Sequence, residues 1–99
     1  QLSDIIYIQT ENKLLILHTI HGDVQSSQRM SELEKRLSKK QFFRCHNSYM
    51  VNFDYVEGVK QDSVLIKDKA QKLKTIPISK YKKEEFMRAL ARYVGKWEN

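Results

Sequence analysis

The chain has 99 residues, of which 40% are hydrophobic, three are Gly and one is Pro; this is enough for one compact core and too few for two. Lys and Arg outnumber Asp and Glu by 18 to 12, and the sequence pI near 9.5 fits either a nucleic-acid footprint or a plain lysine-rich surface. No apolar run approaches the ~18 residues of a membrane span, no signal-peptide pattern opens at Gln1, and the single Cys45 excludes an internal disulfide, so a reducing cytoplasm is expected.

Ser3–Thr10 (SDIIYIQT) is rich in β-branched and aromatic residues, and Glu11-Asn12 separates it from Lys13–Ile20 (KLLILHTI), which reads as a hairpin. His21-Gly22-Asp23 carries turn chemistry before a more polar strand at Asp23–Ser27, so three strands form a meander. Ser31-Glu32-Leu33-Glu34 has capping-box spacing and predicts a helix start there. Met30, Leu33 and Leu37 recur at helical spacing, Glu32 and Arg36 stand one turn apart, and Lys39-Lys40 suit the C-terminal end of the dipole. This short amphipathic helix reads as cover for one sheet.

Strands resume at Phe42. Phe43, Cys45, Tyr49, Val51 and Phe53 share one parity, and Asn47 shares it too. Either a bulge or loop turns Asn47 outward, or a buried network satisfies its amide. Val56–Lys60, Ser63–Asp68 and Lys72–Ile78 follow as short strands, the last two joined by Lys69-Ala70-Gln71. Lys67, Lys69, Lys72 and Lys74 mark either a charge-protected edge or a phosphate-facing strand.

From Ser79 the pattern becomes helical, with Ser79 as its cap and Phe86, Ala89, Leu90, Tyr93, Val94 and Trp97 on one stripe. Lys80, Lys82 and Lys83 put positive charge on an already positive helix end, an arrangement that an anion would relieve, with Glu84 and Glu85 offsetting part of the field. Enzyme constellations are poor. Cys45 and His46 are adjacent and would face opposite sides of a strand, His18 and His21 lack further metal ligands at suitable spacing, and Gly22, Gly58 and Gly95 are isolated. No catalysis, cofactor or metal is expected.

FFRCHNSYMVNFDYVEGV, followed about twenty residues later by TIPISKYKKEEF, closely resembles the LytTR family of bacterial DNA-binding output domains, and the opening SDIIYIQTENK is similar to its early strand pair. The resemblance covers 1–99 as one domain that starts one or two strands late. It implies a mostly β fold of antiparallel sheets with a short mid-chain helix and a C-terminal amphipathic helix. It further implies that loops, not a recognition helix, enter successive major grooves at direct repeats. Carried onto this chain, the groove-entering positions fall near Lys13, Asn47 and Ser79-Lys80, with Arg44, His46 and Ser48 beside the second; Lys82 and Lys83, at the positive helix end, are the expected phosphate contacts. Many members carry a basic residue at the position of Asn47 and several carry Arg at that of Lys80, so the exact contacts and preferred bases do not transfer from the family.

The expected function is sequence-specific duplex-DNA binding for transcriptional regulation, as the output domain of a two-component response regulator in the bacterial cytoplasm. The partners implied are promoter DNA with direct repeats and an N-terminal receiver domain, with RNA polymerase and a second copy on DNA as further ones. An alternative is a protein-interaction or dimerisation module using the aromatic C-terminal helix. A third reading is a single-strand binder stacking bases on Tyr49, Phe53 and Tyr55.

Overall fold

The computed structural model describes residues 1–96. Eight strands form two antiparallel sheets: β1 (Ile5–Glu11), β2 (Leu14–Thr19), β3 (Gly22–Ser26), β4 (Phe42–His46), β5 (Tyr49–Asn52), β6 (Val56–Lys60), β7 (Ser63–Lys67) and β8 (Leu73–Pro77). The larger sheet has the order β3-β2-β1-β5-β4 and the smaller the order β6-β7-β8. Two helices, α1 (Met30–Arg36) and α2 (Lys83–Gly95), complete the domain. The β1-β2-β3 meander is present, and β1 lies at the centre of its sheet because it also pairs with β5.

The β1–β2 turn is Asn12-Lys13, both at positive φ (51° and 68°), with Glu11 opposite Leu14. Two left-handed residues match the right-handed twist of the strands they join, which is why the turn is tight.

Strand alternation sends neighbouring residues to opposite faces, and the core divides accordingly. On one face Ile8, Leu15 and Met50 pack with Met30, Leu33 and Leu37, so α1 covers the large sheet. On the other, Ile6, Val51 and Phe53 meet Val64, Ile66 and Ile76 of the small sheet together with Phe86 and Ala89 of α2. The order is helix, large sheet, then small sheet with α2.

A buried amide does exist, but at Asn52 and not at Asn47. Asn52 is fully buried; it donates to the Ile5 carbonyl (2.8 Å) and accepts from Gln41 Nε2 (2.6 Å) and from the Asp54 N–H (2.9 Å). Since an unpaired buried amide is costly, this threefold satisfaction ties β5 to the start of β1 and to the connection before β4.

Local details differ from the sequence reading for physical reasons. The first helix starts at Met30, because the Glu32 carboxylate, not Glu34, accepts from the Arg29 N–H at 3.1 Å. Glu34 is drawn off to Arg44. The second helix starts at Lys83, four residues after Ser79, whose hydroxyl makes no cap; a 3-10 turn over Lys80–Lys82 intervenes, closed by the Lys82 N–H on the Ser79 carbonyl (2.9 Å). Val94 falls off the buried stripe and is exposed, and Trp97 lies outside the described residues. β8 is an edge strand whose Leu73, Lys74 and Thr75 are exposed, so Lys72 and Lys74 stand where charge discourages edge pairing.

Candidate nucleic-acid interface

The single parity inferred across Cys45, Asn47 and Tyr49 breaks at a hairpin. β4 and β5 are joined at Asn47-Ser48, His46 pairs with Tyr49, and the ladder shifts between Phe43 and His46. Asn47 is thereby exposed at a turn. Two neighbours shape that turn: Arg44 Nη2 donates to the Asn47 carbonyl (2.8 Å), and the Ser48 N–H donates to His46 Nδ1 (3.1 Å). Arg44 also pairs with Glu34 (3.2 Å) and His46 meets the Tyr49 ring edge-on. Both side chains are therefore engaged in holding the turn.

Backbone hydrogen bonds fasten the other two predicted segments beside this one. The Thr10 N–H donates to the Ser48 carbonyl (2.9 Å), which sets the Asn12-Lys13 tip next to Asn47-Ser48. The Ser79 N–H donates to the Cys45 carbonyl (2.7 Å), which docks the segment after β8 on the end of β4. Lys82 Nζ adds a bond to the Arg44 carbonyl (3.2 Å). Three segments separated by more than thirty residues thus meet at one end of the large sheet.

The nine predicted residues fall into two groups. Lys13, Asn47 and Lys80 are exposed and their side chains make no hydrogen bond or ion pair among the described residues, and the Ser48 and Ser79 hydroxyls are likewise unengaged. Arg44, His46, Lys82 and Lys83 are tied inward, Lys83 to Asp62 at 3.3 Å. Sequence reasoning missed Tyr81. It sits between Lys80 and Lys82 in the 3-10 turn and is 92% exposed, the most open of the exposed large hydrophobic residues. Its signal was available: an aromatic flanked by lysines and off the apolar stripe of the following helix.

Cys45 has no exposure, and burial pushes its thiol up to about 12 despite the nearby Lys82 charge. Because the thiolate is the reacting species, modification of the folded chain by a thiol reagent at neutral pH is expected to be slow and to become fast only on unfolding. Timed labelling with and without denaturant checks this. Among the described residues no group of His, Cys, Asp and Glu side chains is placed to hold a metal ion, and no helix is long and apolar enough to cross a membrane.

The packing takes up much of what a docking helix or a base-stacking face would need. The aromatic stripe of α2 is spent on the core, with Phe86 and Ala89 buried and Leu90 and Tyr93 packed against them. Phe53 is buried too, so it offers no face to a base.

A β domain that gathers exposed turns bearing cationic and amide side chains at one sheet end has the surface chemistry of a DNA-binding domain. The chain belongs to the LytTr DNA-binding domain family, whose model matches residues 1–91. It is similar to the transcriptional regulatory protein LytR of Staphylococcus aureus, 33% identical over 58 residues, covering 59% of this chain and 24% of that protein. The sensory transduction protein LytT of Oceanobacillus iheyensis is 33% identical over 76 residues, covering 71% of this chain and 30% of that protein. The chain thus spans under a third of the length of these curated relatives. A solved structure, the LytTr DNA-binding domain of a putative methyl-accepting/DNA response regulator from Bacillus cereus, shares the fold with a TM-score of 0.74 at 21% identity, covering 89% of this chain and 82% of that one.

Proposed function

We propose that this domain reads duplex DNA at promoter direct repeats as the output module of a two-component response regulator, coupled to a receiver domain and acting in the bacterial cytoplasm. The observation that carries the reading is the convergence of Lys13, Asn47 and Lys80, all exposed and unengaged, on one end of a sheet whose turns are cross-tied by backbone hydrogen bonds. In this mechanism Lys13 and Lys80 reach phosphate, and Asn47 pairs with a base. Ser48 and Ser79 supply hydroxyls beside it. Arg44, His46 and Lys82 hold the turn, and Lys83 braces the helix start through Asp62.

The reading is tested by setting Asn47→Ala beside Lys80→Ala on a set of single-base operator variants across a salt titration. An amide that pairs bidentately with adenine discriminates by about 1–3 kcal/mol, so Asn47→Ala is expected to flatten the preference at one base position. A lysine on phosphate carries affinity without sequence, so Lys80→Ala is expected to weaken all variants alike and to lower the salt slope by about one. Wild-type ranking of the variants by Asn47→Ala, with the fold confirmed by circular dichroism, would remove Asn47 from the reading surface.

Tyr81 extends the same surface. The major groove presents one apolar group, the thymine methyl, and an exposed ring flanked by lysines is suited to cover it. Replacing the contacted thymine by deoxyuridine removes that methyl, worth about 0.8 kcal/mol or roughly fourfold in affinity. The loss is expected in the wild type and absent in Tyr81→Ala; equal losses in both would place the ring elsewhere.

A further inference from the structure

The three histidines of the chain are bonded in two different ways. His18 has an acceptor at each ring nitrogen, Asp23 Oδ1 at 2.9 Å from Nδ1 and Gln9 Oε1 at 2.7 Å from Nε2. His21 Nε2 lies 3.3 Å from the Asp4 carboxylate. Neither ring loses a bond on taking up a proton. His46 is the opposite case, because its Nδ1 accepts the Ser48 N–H at 3.1 Å. A backbone N–H can only donate, so Nδ1 must keep its lone pair, and the neutral ring carries its proton on Nε2. The next proton has to go to Nδ1, where it meets the Ser48 N–H donor to donor. Charging His46 therefore breaks the bond.

That bond lies inside the turn that presents Asn47. The Asn47–Ser48 peptide is held at both ends, its carbonyl by Arg44 Nη2 at 2.8 Å and its N–H by His46. Together the two bonds fix the peptide plane that leads out of Asn47. Tyr49 of β5 meets the His46 ring edge-on at 5.7 Å. The charged groups on the adjoining elements are Glu11 and Lys13 of the β1–β2 hairpin, Lys80 and Lys82 after β8, and Arg44 with its partner Glu34 from α1. No carboxylate among the described residues is paired with the His46 ring, so none gives its charged form a substitute bond.

Resting on the DNA reading above, we propose that His46 is a positioning residue that serves the Asn47 turn only while neutral, so that acid lowers sequence discrimination without lowering sequence-blind attraction. The two effects of a proton differ in sign. A charge gained at the DNA face strengthens the pull on every phosphate, whatever the sequence. Loss of the turn bond acts on the direction of Asn47 and so on base readout. Acid acting through charge alone would raise cognate and random affinity together, whereas the positioning effect narrows the gap between them.

The probes are the tightest duplex recovered by selection from random sequence at the higher pH, and a random duplex. Both are titrated with the whole chain at about pH 8 and about pH 5, the interval over which histidine changes charge. Circular dichroism confirms that each chain stays folded at the lower pH chosen. The wild-type ratio of the two affinities is expected to fall about fivefold, the worth of one such hydrogen bond, with random-duplex affinity unchanged or higher. His46→Asn is the rescuing variant, because its side-chain oxygen can accept from the N–H two residues on, as in an Asx turn, and does not titrate. Whatever ratio it has at the higher pH, it is expected to keep at the lower. His46→Phe keeps an aromatic ring beside Tyr49 without the acceptor, and is expected to show the lowered ratio at both. In nuclear magnetic resonance of the free, isotope-labelled domain, the Ser48 amide proton is expected to shift in step with the His46 ring titration. A wild-type ratio that ignores pH, a fall that His46→Asn shares, a His46→Phe that discriminates as the wild type does, or a Ser48 amide that ignores the ring would overturn the inference alone. No preference between the duplexes at the higher pH would overturn the DNA reading and the inference with it.

Discussion

Truncating Phe86 to alanine is expected to cost about 3–5 kcal/mol of folding stability, the range for removing a buried aromatic ring. Phe86 has no exposure, meets Phe43 edge-on at 5.3 Å and lies tilted against Phe53 at 5.7 Å. It is the point where α2 joins the face shared by both sheets, with Val64, Ile66 and Ile76 around it. The cavity left behind can shrink only if α2 moves, and the Lys82–Arg44 and Lys83–Asp62 contacts hold the helix start. Urea unfolding followed by circular dichroism measures the loss; in a domain of this size about 1 kcal/mol shifts the midpoint by ~4–8 °C on heating. A loss below about 1 kcal/mol would mean that the site collapses around the vacancy and that α2 is less firmly seated than its contacts imply.

The second large effect concerns the proposed operator. A duplex carrying two spaced direct repeats is expected to bind at least ~10³-fold more tightly than a random duplex at moderate salt, within the range of specific over non-specific DNA binding. The domain measures 37 × 29 × 25 Å, against the ~34–36 Å of one helical turn, so copies one turn apart on one face of the duplex have to set one of the two shorter axes along it. Direct repeats put both copies in the same orientation, so no two-fold axis relates them. Electrophoretic titration of both duplexes over a range of salt is the measurement. Equal affinity for the two, with a steep common salt slope, would leave phosphate attraction without readout.

Much of this architecture was legible in the chain because local chemistry and tertiary packing agree. Ile5 to Ile8 and Leu14 to Leu17 propose strands, and the sheet uses both, while the turn expected at Glu11-Asn12 falls one residue later, at Asn12-Lys13, because Glu11 stays in register opposite Leu14. Where the sequence misled, a partner distant in the chain decided the outcome. Ser31 and Glu34 have capping-box spacing, but Glu34 is claimed by Arg44, ten residues on. Ser79 has the chemistry of a cap, but its N–H is committed to Cys45 and the chain makes a 3-10 turn before the helix begins. Asn47 and Asn52 are both amides in one strand-rich stretch, and only the fold tells the exposed one from the buried one. The candidate site was legible as a set of residue types, whereas its division into exposed and bracing side chains depends on Arg44 finding both Glu34 and the Asn47 carbonyl.

The bonds that assemble the three turns have a particular composition: Thr10 N–H on the Ser48 carbonyl, Ser79 N–H on the Cys45 carbonyl, and Lys82 on the Arg44 carbonyl. Five of the six groups belong to the main chain, which every residue but proline carries in full. Exchanging the side chains at Asn47, Lys80 or Tyr81 therefore leaves these bonds in place, whereas Lys13, at φ 68°, accepts only residues that tolerate the left-handed region. On the proposed reading, the arrangement works as a socket with interchangeable pins, in which a new recognition sequence is written one side chain at a time. Proline at Thr10 or Ser79 is the substitution that would dismantle the socket itself, since it deletes the donor that no other side chain can replace.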